Sequence, residues 1–194
     1  MMEAQEITRN WYALKVFYNK VFEIEQDLAA RHLEVYFPVR KEQVPRSALR
    51  RVDDSTKYER IGPNLVLRRI PVVNSLLFVR ASEDEITQVR SLIYGRALIY
   101  YNAERTAPAI IPDREMAIFR LVASSGAEGL DFFSDESITR YRQGDRVRVK
   151  EGPLKGAEGY IKRIKRDRRL LVAIEGFVAV ATSYIPPQFL EVVG

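Results

Sequence analysis

The stretch Val147–Arg169, VRVKEGPLKGAEGYIKRIKRDRR, combines three glycines, alternating apolar residues and a basic tail. These are ingredients from which a phosphate-binding loop can be made. Such a loop needs a strand, then glycines, then a helix whose N-terminal amides face the phosphate. Here KEGPLKGAEG runs into YIKRIKRDRRLLVAI, which alternates like a strand, and no Gly-Lys-Ser/Thr follows. The context excludes nucleotide binding. Gly152-Pro153 reads instead as a turn, and Gly156 and Gly159 as positions of positive φ or tight curvature in a small barrel.

Other chemistry lacks raw material. There are no cysteines, so disulfides, thiolate nucleophiles and cysteine metal sites are excluded. His32 is the single histidine and reads as a surface or helix-end residue, which leaves histidine-based zinc sites and most triads without members. No paired-acid motif stands out. The expectation is a protein with no catalytic residues, no cofactor and no metal.

What remains is binding, and the charge is distributed accordingly. The net charge of +5 is uneven. Arg140–Arg169 carries twelve Lys/Arg against four Asp/Glu, while residues 1–139 carry nineteen against twenty. A local excess of this kind points to a module that meets a polyanion, the alternative being a solvated basic face. The chain of 194 residues, 46% apolar, suits one domain or two small ones. No apolar run approaches the roughly 18 residues of a membrane span. MMEAQEITRNWY has neither a signal core nor transit-peptide character, so a cytoplasmic protein is expected.

The elements that must position any site follow from periodicity. WYALKV reads as a strand, and Val21, Ile24 and Leu28 share one helical face. LEVYFPVRKEQV is the next strand, with Val35, Phe37 and Val39 on one side and Pro38 at an edge. Residues 45–69 are polar and basic and form an excursion, read as a hairpin, before the apolar strand IPVVNSLLFVRA. Ser82 and Glu85 make a capping box for a short helix. RALIYYN is a strand, and Asp113 caps a helix through Met116, Ile118, Phe119, Leu121 and Val122. The fold class is therefore α+β, a split β-α-β pattern of antiparallel sheet with helices over about 120 residues. Residues 124–139 lose periodicity and read as a linker, although Phe132 and Phe133 are unusual in a tether. Beyond Tyr141, five short alternating strands (DRVRVK, AEGYIKRI, LLVAIEG, VAVATSYI, FLEVV) predict a small all-β barrel. The expected organisation is 8–123, a linker over 124–139, and 140–194.

The residues now carry a resemblance. Val147, Val149, Gly152, Gly156, Gly159, Ile161 and Ile164 are spaced like a KOW motif, with Gly159 at the family's fixed glycine. Trp11-Tyr12, the helix after it, the strand near Pro38 and VVNSLLFVR together resemble the N-terminal (NGN) domain of NusG-type transcription factors. The two resemblances stand in the family's order and cover nearly the whole chain.

The resemblance implies a non-enzymatic elongation factor whose N-terminal domain binds the β′ clamp helices of RNA polymerase and whose KOW domain is an SH3-like barrel. It implies a polymerase contact at Val73, Leu76, Phe78 and Tyr18; alternation alone leaves open that Val73 and Phe78 are simply core, since it does not say which sheet face is covered. In the strand that the family writes Phe-Pro-x-Tyr-Leu-Phe-Val, Phe78 matches, and Val73 and Leu76 replace aromatics. Arg46, Arg50, Arg51, Lys57, Tyr58, Arg60, Arg68 and Arg69 stand in the excursion that replaces the family's hairpin toward non-template DNA, and nascent RNA is a further nucleic-acid partner. Phe177 falls where the family contacts a KOW partner, the ribosome or Rho. EGFVAVATSYI departs from the usual FGRATPVEL, which implies a changed partner or docking on the chain's own N-terminal domain and points to a specialised paralogue resembling the UpxY type and, more distantly, RfaH: a monomer serving a particular operon, such as one for capsular polysaccharide. Its Val, Ile and Tyr strands, with Gly and Pro, favour the barrel over a helical form. The competing reading is a KOW-containing RNA- or ribosome-associated protein that binds RNA through residues 162–169 and never meets polymerase.

Overall fold

The computed structural model describes residues 8–49, 57–126, 128–133, 144–164, 167–174 and 176–193. The chain divides into two compact units, Met1–Ile110 and Ile111–Gly194.

In the first unit, β1 (Asn10–Val16) leads into α1 (Val21–Ala29) and β2 (Glu34–Tyr36). After an excursion come β6 (Leu76–Ala81), α2 (Glu83–Leu92) and β7 (Ala97–Ile99). The sheet order is β2-β6-β1-β7, with these neighbours antiparallel, and β8 (Ile110–Ile111) adds to β1. Alternation decides the core. Tyr12, Leu14 and Val16 of β1 and Leu77, Val79 and Ala81 of β6 join Val21, Phe22, Ile24 and Leu28 of α1 and Ile86 and Val89 of α2 in one cluster. The intervening Trp11, Ala13, Leu76 and Phe78 belong to the opposite face and are buried too.

Local chemistry sets the helix ends. Ser82 Oγ accepts from the Glu85 N–H at 3.2 Å, while the Ser82 N–H donates to Glu85 Oε2 at 2.8 Å, which is the expected capping box. Arg9 adds bonds of 3.0 and 2.6 Å to the same carboxylate. Those bonds, and then the Ser82 backbone, hold Glu85 below the ordinary carboxylate range. At the end of α1, His32 lies exposed with φ 60 and its N–H donates to the Ala29 carbonyl, so the histidine is a helix-end residue.

Two apolar stretches expected to be single strands are broken. LEVYFPVRKEQV divides at Phe37-Pro38 into β2 and β3 (Val39–Pro45). Proline has no N–H for the ladder. The chain therefore leaves one sheet there and enters another. That second sheet, order β3-β5-β4, is the excursion: β4 (Tyr58–Arg60) and β5 (Leu65–Pro71) complete it. Likewise IPVVNSLLFVRA divides into the end of β5, a turn over 72–75 and β6, so Val73 stands in the turn and outside the strand.

The second unit starts with α3 (Asp113–Ala123). Pro112 occupies the N-cap position and no side-chain cap forms, so Asp113 is the first helical residue and not the cap. Met116, Phe119, Val122 and Ala123 are its buried residues, and α3 packs on the strands Asp167–Ile174 and Val178–Tyr184. The five expected strands are present as β10 (Arg146–Val149), β11 (Glu158–Ile164), β12 (Asp167–Ile174), β13 (Val178–Tyr184) and β14 (Leu190–Val192).

A sixth strand, β9 (Asp131–Phe133), falls inside the stretch read as linker. It gives the order β14-β10-β11-β12-β13-β9. The buried Arg169 holds it: Nη1 bonds Asp131 Oδ2 at 2.6 Å, Nη2 donates to the Gly129 carbonyl and Nε to that of Thr182. Residues 134–143, the rest of the expected linker and the start of the expected barrel domain, lie outside the described residues. By compactness the chain divides at 110/111, with α3 in the second unit.

Candidate functional site

The turn after β1 is built under strain. Tyr18 and Asn19 both have left-handed backbones, φ 54 and 57, in residues that carry a Cβ. Such conformations persist only where the surroundings enforce them, and they gather at functional positions. Here two backbone bonds enforce the turn. The Val16 N–H donates to Ser75 O at 2.8 Å, and the Phe17 N–H to Arg96 O at 2.8 Å. They draw together three turns at one end of the sheet: 17–19, 72–75 and 94–96.

The consequence for the four expected polymerase residues is uneven. Tyr18 is 83% exposed, edge-on to Phe17 with centroids 6.3 Å apart. Val73 and Leu76 lie at the same end but are buried, and Phe78 is 0% exposed and stacked on Tyr36. Tyr94, 89% exposed beside Gly95, and Leu98, which faces Lys15 across the ladder, are exposed apolar residues that periodicity did not single out. A tyrosine placed on a glycine turn was the available signal.

The basic excursion is a three-stranded sheet in which part of the charge is already matched. Arg69 meets Glu25 with bonds of 3.1 and 2.8 Å and lies over the Phe22 and Phe37 rings, 5.4 and 5.3 Å from their centroids. Those rings meet edge to face at 5.6 Å. An arginine so enclosed fastens the excursion to α1. Arg68 pairs with Glu42 at 2.6 Å, and Lys57 lies 5.6 Å over the Phe22 ring. Tyr58, half-buried, faces Arg68 across β4–β5. Arg46 and Arg60 are exposed, Arg60 Nε reaching the Gly62 carbonyl at 3.4 Å. Arg50 and Arg51 lie outside the described residues.

In the barrel, the glycines of the opening stretch divide into two kinds. Gly152 and Gly156 have φ 84 and 88, the left-handed region expected for turns. Gly159 does not. It is needed because β12 passes so close that an added Cβ would lie 3.0 Å from the Leu171 carbonyl carbon and nearer still to its oxygen. Val149 is buried and Ile161 half-buried, and Phe177, half-buried in the β12–β13 turn, donates its N–H to Ile174 O at 3.1 Å.

Beside Gly159, Glu158 is a buried carboxylate that periodicity did not mark. Arg114 Nη2 bonds both its oxygens at 2.8 Å, Arg148 contributes bonds of 2.9 and 2.7 Å to Oε1, and Arg146 one of 3.1 Å to Oε2. Arg148 first, and then Arg114, hold this acid below the ordinary carboxylate range against the opposing effect of burial. The arrangement is structural: it offers no nucleophile. Among the described residues no His/Cys/Asp/Glu group could hold a metal ion, and no helix is long and apolar enough to cross a membrane.

The family described as "Transcription termination factor nusG" matches residues 9–120. A solved structure described as "Domain interaction in Thermotoga maritima NusG" is similar at 17% identity and a TM-score of 0.47, over 96% of this chain and 98% of that one. No curated protein matches the chain.

Proposed function

The chain belongs to the NusG family, and we propose that it is an elongation and antitermination factor of the specialised UpxY type, distantly like RfaH. Members of the family are transcription factors that bind RNA polymerase and are not enzymes. In this reading the first unit binds the β′ clamp helices and suppresses pausing or termination on one operon, such as one for capsular polysaccharide. The protein works in the cytoplasm as a monomer, without a cofactor, and its KOW barrel engages the ribosome or Rho through Phe177. The family match over 9–120 carries the proposal.

The exposed, strained Tyr18 supports it. In this reading Tyr18 and Tyr94 make the contact, and the buried Val73, Leu76 and Phe78 support that end of the sheet from within. Burying two tyrosine faces on a helix tip contributes a few kcal/mol, about 25 cal/mol per Å² of apolar area. The test is capture of purified core polymerase by the full chain. Tyr18→Asp with Tyr94→Asp is expected to weaken capture at least about tenfold with the fold intact, since both side chains stand in solvent. Phe78→Asp would be uninformative, because a carboxylate at a fully buried site unfolds the unit. Failure of the parent chain to capture polymerase would refute the reading.

The basic excursion reaches the non-template DNA strand or nascent RNA in the same proposal. Reversing Arg50 and Arg51 to Glu is expected to weaken pause suppression in single-round transcription on a recruiting template. Unchanged pausing with intact folding would remove the excursion from the mechanism.

A further inference from the structure

We propose that the β13 edge of the barrel is a strand-addition site and that β9 is its removable cover, a segment of the same chain lying where a partner protein's strand adds. The partner strand it fits runs antiparallel to β13 and carries a carboxylate two residues before an aromatic side chain. The site lies wholly within the second unit and rests on neither the polymerase contact nor the Phe177 contact.

Three observations carry it. First, β9 is an addition to the barrel. The alternating pattern beyond Tyr141 supplies five strands, and β9 comes from the stretch before them. It is three residues long, and its ladder pairs Asp131 with Ala181, Phe132 with Val180 and Phe133 with Ala179, three of the seven residues of β13. So short an outer strand is held by few backbone bonds, and an edge that it vacates is a template for another strand.

Second, β12 and β13 leave a recess for an aromatic ring. Ala179 and Ala181, alternate residues of β13, form a buried cluster with Leu171, and Phe133 packs against it beside Ile164 and Ala173. Alanine is depleted in strands and fills little of a core face. Two alanines in alternate positions are accounted for by a ring that comes from outside the five strands.

Third, Arg169 imposes a polar requirement. It belongs to β12, is 7% exposed, and its Nε donates to the Thr182 carbonyl of β13. Its Nη1 donates to Asp131 Oδ2 at 2.6 Å and its Nη2 to the Gly129 carbonyl, both on the added segment. Breaking a buried charge pair by removing one partner is costly. A bare edge is therefore disfavoured, and a strand that replaces β9 must bring an acid of its own. Arg169 selects for that acid, and the alanine recess selects for the ring two residues further on.

The test is fluorescence anisotropy of a labelled synthetic peptide copying residues 128–135, EGLDFFSD, with the full chain. The parent is expected to bind it weakly, because β9 holds the edge and apparent affinity falls with the open fraction. Asp131→Asn in the chain takes the charge from the cover and should tighten peptide binding about tenfold, the effect of one charge-assisted hydrogen bond. The same change in the peptide should weaken binding about tenfold. Opposite signs for one substitution are the mark of two strands competing for one edge. Hydrogen exchange of the full chain gives an independent reading: β9 amides should exchange faster than those of the β11–β12 ladder, which open only with the barrel. Three results would overturn the proposal. One is no peptide binding by the Asp131→Asn chain. Another is binding that is unchanged by Asp131→Asn in the chain. The third is β9 exchanging in step with β12, which would make it a permanent part of the barrel.

Discussion

Alanine at Gly159 is expected to destabilise the second unit by at least about 3 kcal/mol, although the change adds a single methyl group. The new carbon would be pressed into the Leu171 carbonyl of the neighbouring strand and would lie 3.1 Å from Leu170 Cδ1. A side chain can rotate away from such a clash; a backbone carbonyl cannot. Relief requires β11 and β12 to separate where they are paired through Tyr160↔Leu171 and Ile161↔Leu170. Leu170 and Leu171 are both buried, so separation also opens the barrel core. For a domain of this size, 3 kcal/mol lowers the melting temperature by about 12–24 °C. Gly156→Ala is the contrast. Its φ is 88 but nothing lies within 4 Å of an added Cβ, so only backbone strain of about 1–2 kcal/mol is expected. Circular dichroism melts of the two variants, with hydrogen exchange followed at β11 and β12, separate the effects. Equal losses would mean that the conformation at Gly159 matters and the close approach does not.

The same pair shows what a sequence can reveal. Gly152 announces itself beside Pro153 as a turn residue, because turn chemistry is local, whereas Gly156 and Gly159 read alike, as positive φ or tight curvature. Positive φ holds at Gly156, while the need for Gly159 depends on a strand twelve residues further on, which spacing alone does not show. Helices followed the local rule. The capping box of Ser82 and Glu85 and the Val21-Ile24-Leu28 stripe were legible because their partners are three or four residues away. The breaks at Phe37-Pro38 and at 72–75 were hidden inside apolar runs, since a change of sheet leaves hydrophobicity unaltered. Strand β9 was hidden because Arg169, 38 residues away from Asp131, decides where that segment lies. The site divides in the same way. Composition located the basic stretch and the excursion, but not that Arg69 is occupied by Glu25 and two rings, nor that Tyr18 is exposed while Phe78 is buried.

Glu158 is where charge, and not shape, governs the second unit. Its carboxylate ties α3 to the barrel through Arg114 and ties β11 to β10 through Arg146 and Arg148, and Arg148 also reaches Glu191 on β14 at 3.1 Å. Glutamine at this position keeps the shape and one acceptor but removes the charge that three guanidinium groups share. Because the arginines keep 66, 45 and 42% of their side-chain surface in solvent, water can rehydrate them. The loss is therefore expected near 2 kcal/mol, below the 3–5 kcal/mol of a pair broken in a dry interior. The pH dependence has a definite sign. The folded protein holds this acid below its ordinary value of 4.5. Its stabilisation is thus complete above that value, where the unfolded chain is also ionised, and is lost as the pH falls through the lower folded value. Glu158→Gln should differ from the parent in melting temperature at pH 7, and the two should converge as the pH drops below 4.5. Glu85, held down by Arg9 and Ser82 in the first unit, declines over the same acid range in both proteins and cancels from the comparison. A gap that stayed constant down to acid pH would show that Glu158 acts as a neutral hydrogen-bond acceptor, and that the three arginines are held by packing.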